Sequence, residues 1–441
     1  MTHSLPDILE KLNTFFWNGP ILFLLAGTHL FLTAKLFPQR KTLQAIRLSV
    51  SSGNNKEKRG LSGFTTLSTT LAATLGTGNI VGVSTAIALG GPGALFWCFL
   101  TGLFGMATTY AECYLSCLYR IPRDDSAFVG GPMYVMVQGI KNHALGNALS
   151  KFYAFCMMIA AFGVGCTTQT SAMADTARAS WNLSPHFIGI FAAIIAGTVI
   201  LGGMKNMGDF CTRLVPPLSI LYIFSCCILL WQNQAFLAKS LSLILSSAFS
   251  VNAAGGGFVG SSFLLAARFG IARGLFTNEA GIGTAAVAAG ASGAASPKQQ
   301  ALISMTAVFW DTIVMCSLTG LTIVSSMLAH PGSTKGYSTG GLTSAAFSFL
   351  PLFGESFLSL ALIAFALATL VGWCYLGEKG VEYLFGTSGI HSYHLLYIVM
   401  IYLGAVLPMN LIWNVTDFIN AIMVLPNVIC LLLLHKKIPR P

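Results

Sequence analysis

Residues 75–82 read LGTGNIVG, inside a run from Leu61 to Gly90 that is otherwise apolar enough to cross a membrane. In hydrocarbon a helix survives because it satisfies its own backbone, and irregular chain persists only inside a bundle or beside a cavity. Each interior glycine is about 1 kcal/mol worse than alanine, so Gly76, Gly78 and Gly82, with Thr77 and Asn79, weaken this helix where weakness is costly. A helix of about thirty residues would be roughly 45 Å long, more than the roughly 30 Å hydrocarbon layer. The span must therefore tilt strongly or break, and GTGN is where a break costs least. Opening the helix frees amides on one half and carbonyls on the other; the amide end attracts a carboxylate and the carbonyl end coordinates a small cation. A G-x-x-x-G packing face would explain Gly78 and Gly82 but leaves Gly76, Thr77 and Asn79 without a reason.

A second long, interrupted run spans Gly256–Gly290, with Gly260, Gly270, Gly274, Gly281 and Gly283 around RGLFTNEAG at 273–281. Apolar stretches of spanning length number eleven: about 17–37, 62–90, 92–118, 148–177, 186–203, 210–232, 256–290, 299–329, 354–376, 392–410 and 414–434. Placing the basic connection 38–61 in the cytoplasm puts Arg40, Lys41, Arg47, Lys56, Lys58 and Arg59 inside. Alternating sides then adds Arg120, Arg123, Lys141, Lys205, Arg213, Lys298, Lys379, Lys436, Lys437 and Arg440, against Lys11, Arg178, Lys239 and Lys335 outside. That asymmetry predicts the N-terminus outside and the C-terminus in the cytoplasm. The two glycine-broken runs then point in opposite directions, each leading a set of five spans, with the first span left over. Such a pair is the sequence mark of a secondary transporter built from inverted repeats. The expected organisation is an extra helix and basic loop over 1–60, one five-helix half over 61–235, an external connection over 236–255, the inverted half over 256–434 and a tail over 435–441.

Composition agrees with a polytopic all-α membrane protein: 54% of residues are hydrophobic and 9% charged, with a mean hydropathy of +0.73. A β-barrel would instead alternate over segments of about ten residues. The net charge of +10 is accounted for by orientation and implies no nucleic-acid partner; the partner is the lipid bilayer, in a cell (plasma or inner) membrane. Asp7 and Glu10 beside Lys11, with no small-residue cleavage pattern at 31–38, favour a retained first helix over a signal peptide. The eleven cysteines lie mostly in apolar runs, with no paired C-x-x-C, and predict neither disulfides nor zinc.

Intramembrane polar residues are functional candidates by default. Segment seven carries Arg273, Asn278 and Glu279; Asn278 could bind a ligand, while Glu279 could pair with Arg273 or Arg268 and hold the bend. Phe276 and Gly274 would let backbone approach a ligand under an aromatic face. Glu112, Gln169, Asp175 and Asp311 lie in other spans, and the carboxylates Glu112, Glu279 and Asp311 would serve a proton-coupled carrier. In ALATLVGWCYLGE at 366–378, Thr369 and Trp373 stand one turn apart on one face. An intramembrane hydrolase would need a Ser, His or Asp constellation at depth, yet the histidines, His29 excepted, are terminal, in loops or near helix ends. No enzyme is expected. A channel would need repeated polar rings or a selectivity loop, and one antiparallel pair of broken helices suits alternating access better.

With these residues in view, the chain resembles the alanine or glycine:cation symporter family, also called sodium:alanine symporters. The likeness runs through LAATLGTGNIVGVSTAIALGGPGALFW at 71–97, GMATTYAE at 105–112, GGPM at 130–133, RGLFTNEAGIGTA at 273–285, FWDT at 309–312 and GWCYLGEK at 372–379. It implies a LeuT-like fold with one extra leading helix and uptake of a small neutral amino acid, alanine or glycine, driven by sodium, with no organic cofactor. By position it implies a substrate site at Thr77, Gly78, Asn79, Gln169, Phe276, Asn278 and Trp373, and sodium near the carbonyls of Ala72 and Leu75 and the hydroxyl of Thr369. Many transporters of this fold carry two adjacent hydroxyl residues in segment nine, where this chain has Ala368 before Thr369; that departure bears on sodium against proton coupling.

Overall fold

The computed structural model describes residues 5–51, 61–123, 128–249, 263–294, 296–335, 337, 339–351, 354–407 and 409–441. The chain enters through α1 (Leu5–Asn18) and α2 (Pro20–Leu36), whose step falls at Gly19–Pro20 because proline suits the first turn of a helix and not its interior. A turn at Pro38–Lys41 leads to α3 (Thr42–Ser51). The glycine-rich span then runs as α4 (Gly63–Thr74), a single 3₁₀ turn at Thr77–Asn79, and α5 (Val81–Gly90), bent by 59° at the break. It is followed by α6 (Ala94–Leu118), a two-stranded antiparallel pair of β1 (Ile121–Pro122) and β2 (Phe128–Val129), and α7 (Pro132–Gly139).

Next come α8 (His143–Ala160) and α9 (Thr168–Trp181), continuous through a π-helical turn at Ala161–Thr167, then α10 (Pro185–Leu201), α11 (Gly203–Gln232) and α12 (Leu237–Phe249). The second interrupted run is α13 (Phe263–Asn278) and α14 (Thr284–Gly290). Then α15 (Pro297–Val308) continues through a second π-helical turn, Phe309–Cys316, into α16 (Ser317–Ala329). A short α17 (Leu342–Phe347), a long α18 (Gly354–Phe385), α19 (Ser388–Val406) and α20 (Met409–Leu434) complete the bundle.

Among the described residues, eight helices are long and apolar enough to cross a membrane, or nine with the bent α4–α5 pair as one span. That is fewer than the eleven stretches expected, for two reasons. The fifth stretch forms α10, which at 17 residues is below that length, and residues 256–262 of the seventh, with Gly260, lie outside the described residues. Several helices run beyond their apolar stretches. α11 begins at Gly203 rather than 210, α18 continues to Phe385 rather than 376, and α12 occupies much of the 236–255 connection.

The core lies where the interrupted helices meet the uninterrupted ones. α6 packs against α2, α13, α14 and α15, and α18 against α4, α8, α9 and α11. The start of α4 is joined to the end of α14 by main chain alone: the Leu61 N–H donates to the Ala291 carbonyl at 3.0 Å, and the Gly293 N–H to the Leu61 carbonyl at 2.9 Å.

Candidate functional site

The first break is held open by side chains from two other helices. Helical bonding ends with the Leu75 N–H on the Leu71 carbonyl, and the Gly76 N–H turns back to Thr74. The Thr77 N–H then donates to Gln169 Oε1 at 3.2 Å, while Gln169 Nε2 donates at 3.1 Å to the Val164 carbonyl. Val164 lies in the widened Ala161–Thr167 turn, so that turn both frees a carbonyl and fixes Gln169. Thr369 Oγ1, from α18, stands 2.9 Å from the Ala72 carbonyl and 3.1 Å from that of Phe365. Asn79 Nδ2 reaches across to α15–α16, 2.7 Å from Asp311 Oδ1 and 3.0 Å from the Asp311 carbonyl. Thr77 Oγ1 and Asn79 Oδ1 are buried without a hydrogen-bond partner.

At the second break the chain turns through left-handed backbone, with φ of 53° at Glu279, 93° at Gly281 and 94° at Gly283. Glycine is the residue that takes such angles without strain, which is why the helix stops at NEAGIG. Glu279 pairs with neither Arg273 nor Arg268. Thr284 Oγ1 donates to its Oε2 at 2.6 Å and Trp373 Nε1 to its Oε1 at 3.1 Å, while the arginines lie over Phe276 and Phe269. Glu112 holds the turn from α6, its Oε1 accepting from the Gly281 N–H at 3.0 Å and from Asn427 Nδ2 at 2.6 Å. Asn427 also donates to the Gly281 carbonyl, and the Tyr153 hydroxyl to that of Ile282. Asn278 Oδ1 accepts from the Ala280 N–H at 3.0 Å, leaving its Nδ2 buried and unpartnered.

The two breaks face each other. A Cβ on Gly78 would lie 2.7 Å from Thr277 Cγ2 and 3.5 Å from Phe276 Cδ1. Gln169, Thr369 and Trp373 converge on them from α9 and α18, all buried. Trp373 packs its Cβ where a side chain on Gly165 would stand, so the π-helical turn makes room for the indole that meets Glu279. Phe276 is half-buried and lines a cavity of ≈ 180 Å³ with Asn13, Trp17, Arg268, Arg273 and Asp417. Asp175 is exposed on α9 and takes no part. His29 Nδ1 meets Thr108 Oγ1 at 2.7 Å, one turn before Glu112 on α6. Asn427, Tyr153 and Thr284 were not among the sequence candidates; the signal for Asn427 was a polar residue after Pro426 in an apolar run.

Comparison with known proteins agrees with this architecture. The model of the sodium:alanine symporter family matches residues 2–440. The sodium/alanine symporter AgcS of Methanococcus maripaludis is 41% identical over 432 residues, covering 97% of this chain and 94% of that protein. Two proteins of Bacillus subtilis match as broadly. The putative sodium/proton-dependent alanine carrier YrbD is 32% identical, over 98% of this chain and 90% of its own, and the probable sodium/glutamine symporter GlnT is 30% identical, over 99% and 90%. In three dimensions the chain resembles a sodium-coupled sialic acid symporter in a substrate-bound outward-open state, with a TM-score of 0.53 at 13% identity over 92% of this chain and 83% of that one. Facing helix breaks of the kind transporters use and a family match along nearly the whole chain lead to one assignment: this protein belongs to the sodium:alanine symporter family.

Proposed function

We propose that the chain takes up a small neutral amino acid, alanine or glycine, together with sodium, by alternating access in a cell membrane. The frame would be LeuT-like: two inverted five-helix halves behind one extra leading helix, eleven spans in all, with the N-terminus outside. The observation that carries this reading is the pair of facing breaks with Thr77 Oγ1, Asn79 Oδ1 and Asn278 Nδ2 buried and unpartnered. Two oxygens suit an ammonium group or cation and one N–H donor suits a carboxylate, so both poles of a zwitterion find partners where an unpaired charge would cost several kcal/mol. Sodium would sit among the Ala72 and Leu75 carbonyls and the Thr369 hydroxyl; the 2.9 Å approach of Thr369 to Ala72 supports two of these three ligands. Phe276 and Trp373, with Gln169 and Gly78, would limit the side chain to a small one.

Proton coupling is the second reading, favoured by one observation: Glu112, Glu279 and Asp311 are all buried around the two breaks. Uptake of labelled alanine into liposomes of purified protein separates the two. Concentrative uptake under a sodium gradient alone supports the first reading, uptake under a proton gradient alone supports the second, and non-saturating, gradient-independent flux would point to a channel. In the same assay Asn79→Ala and Asn278→Ala should each abolish uptake by folded protein; near-normal transport in both would remove them from the site.

A further inference from the structure

A second cavity, of ≈ 580 Å³, lies far along the chain from the breaks, where α2 ends and the tail after α20 returns to it. It is lined by Thr33, Lys35, Phe37, Arg40, Lys41 and Arg440, among others, and no carboxylate side chain lines it. The excess is built into the sequence: no Asp or Glu occurs between Leu12 and Lys56 or between Phe418 and Pro441. The walls are held by the chain itself. Arg440 Nε donates to the Lys35 carbonyl at 2.9 Å, Lys35 Nζ donates to the His435 carbonyl, and the Phe31 ring meets the His435 ring edge-on. Lys436 stands close enough for its charge to bear on Lys35. Four cationic side chains share this concavity with the last residue, Pro441, and a positive excess of that size favours an added anion.

An apolar track leads away from it. Phe31 lies one turn from Lys35 on the same helix face and is 42% exposed, and Leu30 and Phe23 further along α2 are exposed as well. Ala34 and Gly27 are also exposed on this helix, and nothing lies within 4 Å of where a Gly27 side chain would stand. A soluble anion would use the cations and ignore the track; a lipid uses both. Basic pockets at the cytoplasmic ends of membrane helices suit anionic headgroups, and the charge asymmetry of the connections assigns this pocket to that side.

We propose that this cavity binds an anionic phospholipid, the headgroup phosphate held by Lys35, Arg40, Lys41 and Arg440 and an acyl chain laid along the exposed face of α2. The site is independent of the transport reading and stands or falls separately from it. Native mass spectrometry of the purified full chain, titrated with phosphatidylglycerol or phosphatidylcholine, tests it. Phosphatidylglycerol should bind at least tenfold more tightly. The double variant Arg40→Gln/Lys41→Gln should lose about fivefold in phosphatidylglycerol affinity for each neutralised charge, with phosphatidylcholine binding unchanged. Lys35→Gln, whose side chain also ties the tail, should add to that loss. Lys205→Gln/Arg213→Gln, basic positions elsewhere, should behave as the parent. Equal binding of the two lipids, or retained preference in the double variant, overturns the proposal. So does displacement of phosphatidylglycerol by equimolar inorganic phosphate, which would make the ligand a soluble anion.

Discussion

A methyl group on Gly76 would stand 2.9 Å from both Gln169 Oε1 and Thr369 Oγ1, whereas one on Gly82 would meet nothing within 4 Å. The two glycines of one short stretch therefore make opposite predictions. Gly76→Ala should reduce alanine uptake into liposomes more than tenfold with folded protein retained, because the two side chains that prop the break must move. Gly82→Ala should leave uptake within twofold and add helix stability of up to about 1 kcal/mol. A loss at Gly82 as severe as at Gly76 would restore the packing-face reading of G-x-x-x-G. Thr369 offers a second test: Thr369→Val should raise the sodium concentration needed for half-maximal uptake, and Thr369→Ser should restore it. At this scale the sequence was informative because glycine, threonine and asparagine in an apolar run are anomalies readable one position at a time. What Glu279 bonds was not readable, since Thr284 and Trp373 compete with two arginines and only the folded geometry decides between them.

The second break is supported from four neighbouring elements, α6, α8, α18 and α20, through Glu112, Tyr153, Trp373 and Asn427. Glu112→Leu would strand the Gly281 N–H in a buried setting, at about 1–3 kcal/mol, and would leave Asn427 Nδ2 with the Gly281 carbonyl alone. Glu112→Gln keeps an oxygen acceptor. Thermal unfolding in detergent should therefore fall well below the parent for the leucine variant and only slightly for the glutamine; equal loss in both would show that the carboxylate charge matters more than the acceptor. The position of this break was legible from its glycines, but its supports come from distant segments, and a polar residue in an apolar span does not announce its partner. The π-helical turns were hidden for a different reason. Ala161–Thr167 (AFGVGCT) and Phe309–Cys316 (FWDTIVMC) carry an ordinary apolar helix composition, and the extra residue in the turn is imposed by what packs there, Trp373 against Gly165 in the first case.

Across the whole molecule, the extension of α18 past its apolar stretch brings a line of charges into the protein. Arg123 pairs with Glu382 at 2.6 Å, Lys379 with Glu382 at 2.8 Å and Glu378 at 3.2 Å, and Glu378 with His394 at 3.0 Å. These bonds join the connection after α6 to α18 and α19. Counting charges ended the span at 376 because charges usually end spans; here they are mutually satisfied and the helix continues. Lys379→Met leaves two carboxylates short of a partner and should destabilise the protein by about 3 kcal/mol, as breaking buried pairs does, measurable as a lower unfolding midpoint in detergent. Lys379→Met with Glu382→Gln should recover part of it. The hydrogen bonds between Leu61 and the Ala291–Gly293 segment carry a different lesson. They are peptide groups, so no change of side chain short of proline erases them, and they knot the start of α4 to the end of α14. In the alternating-access cycle proposed above, helices that rock would have to swing about that knot or untie it, which would make it the fulcrum of the machine.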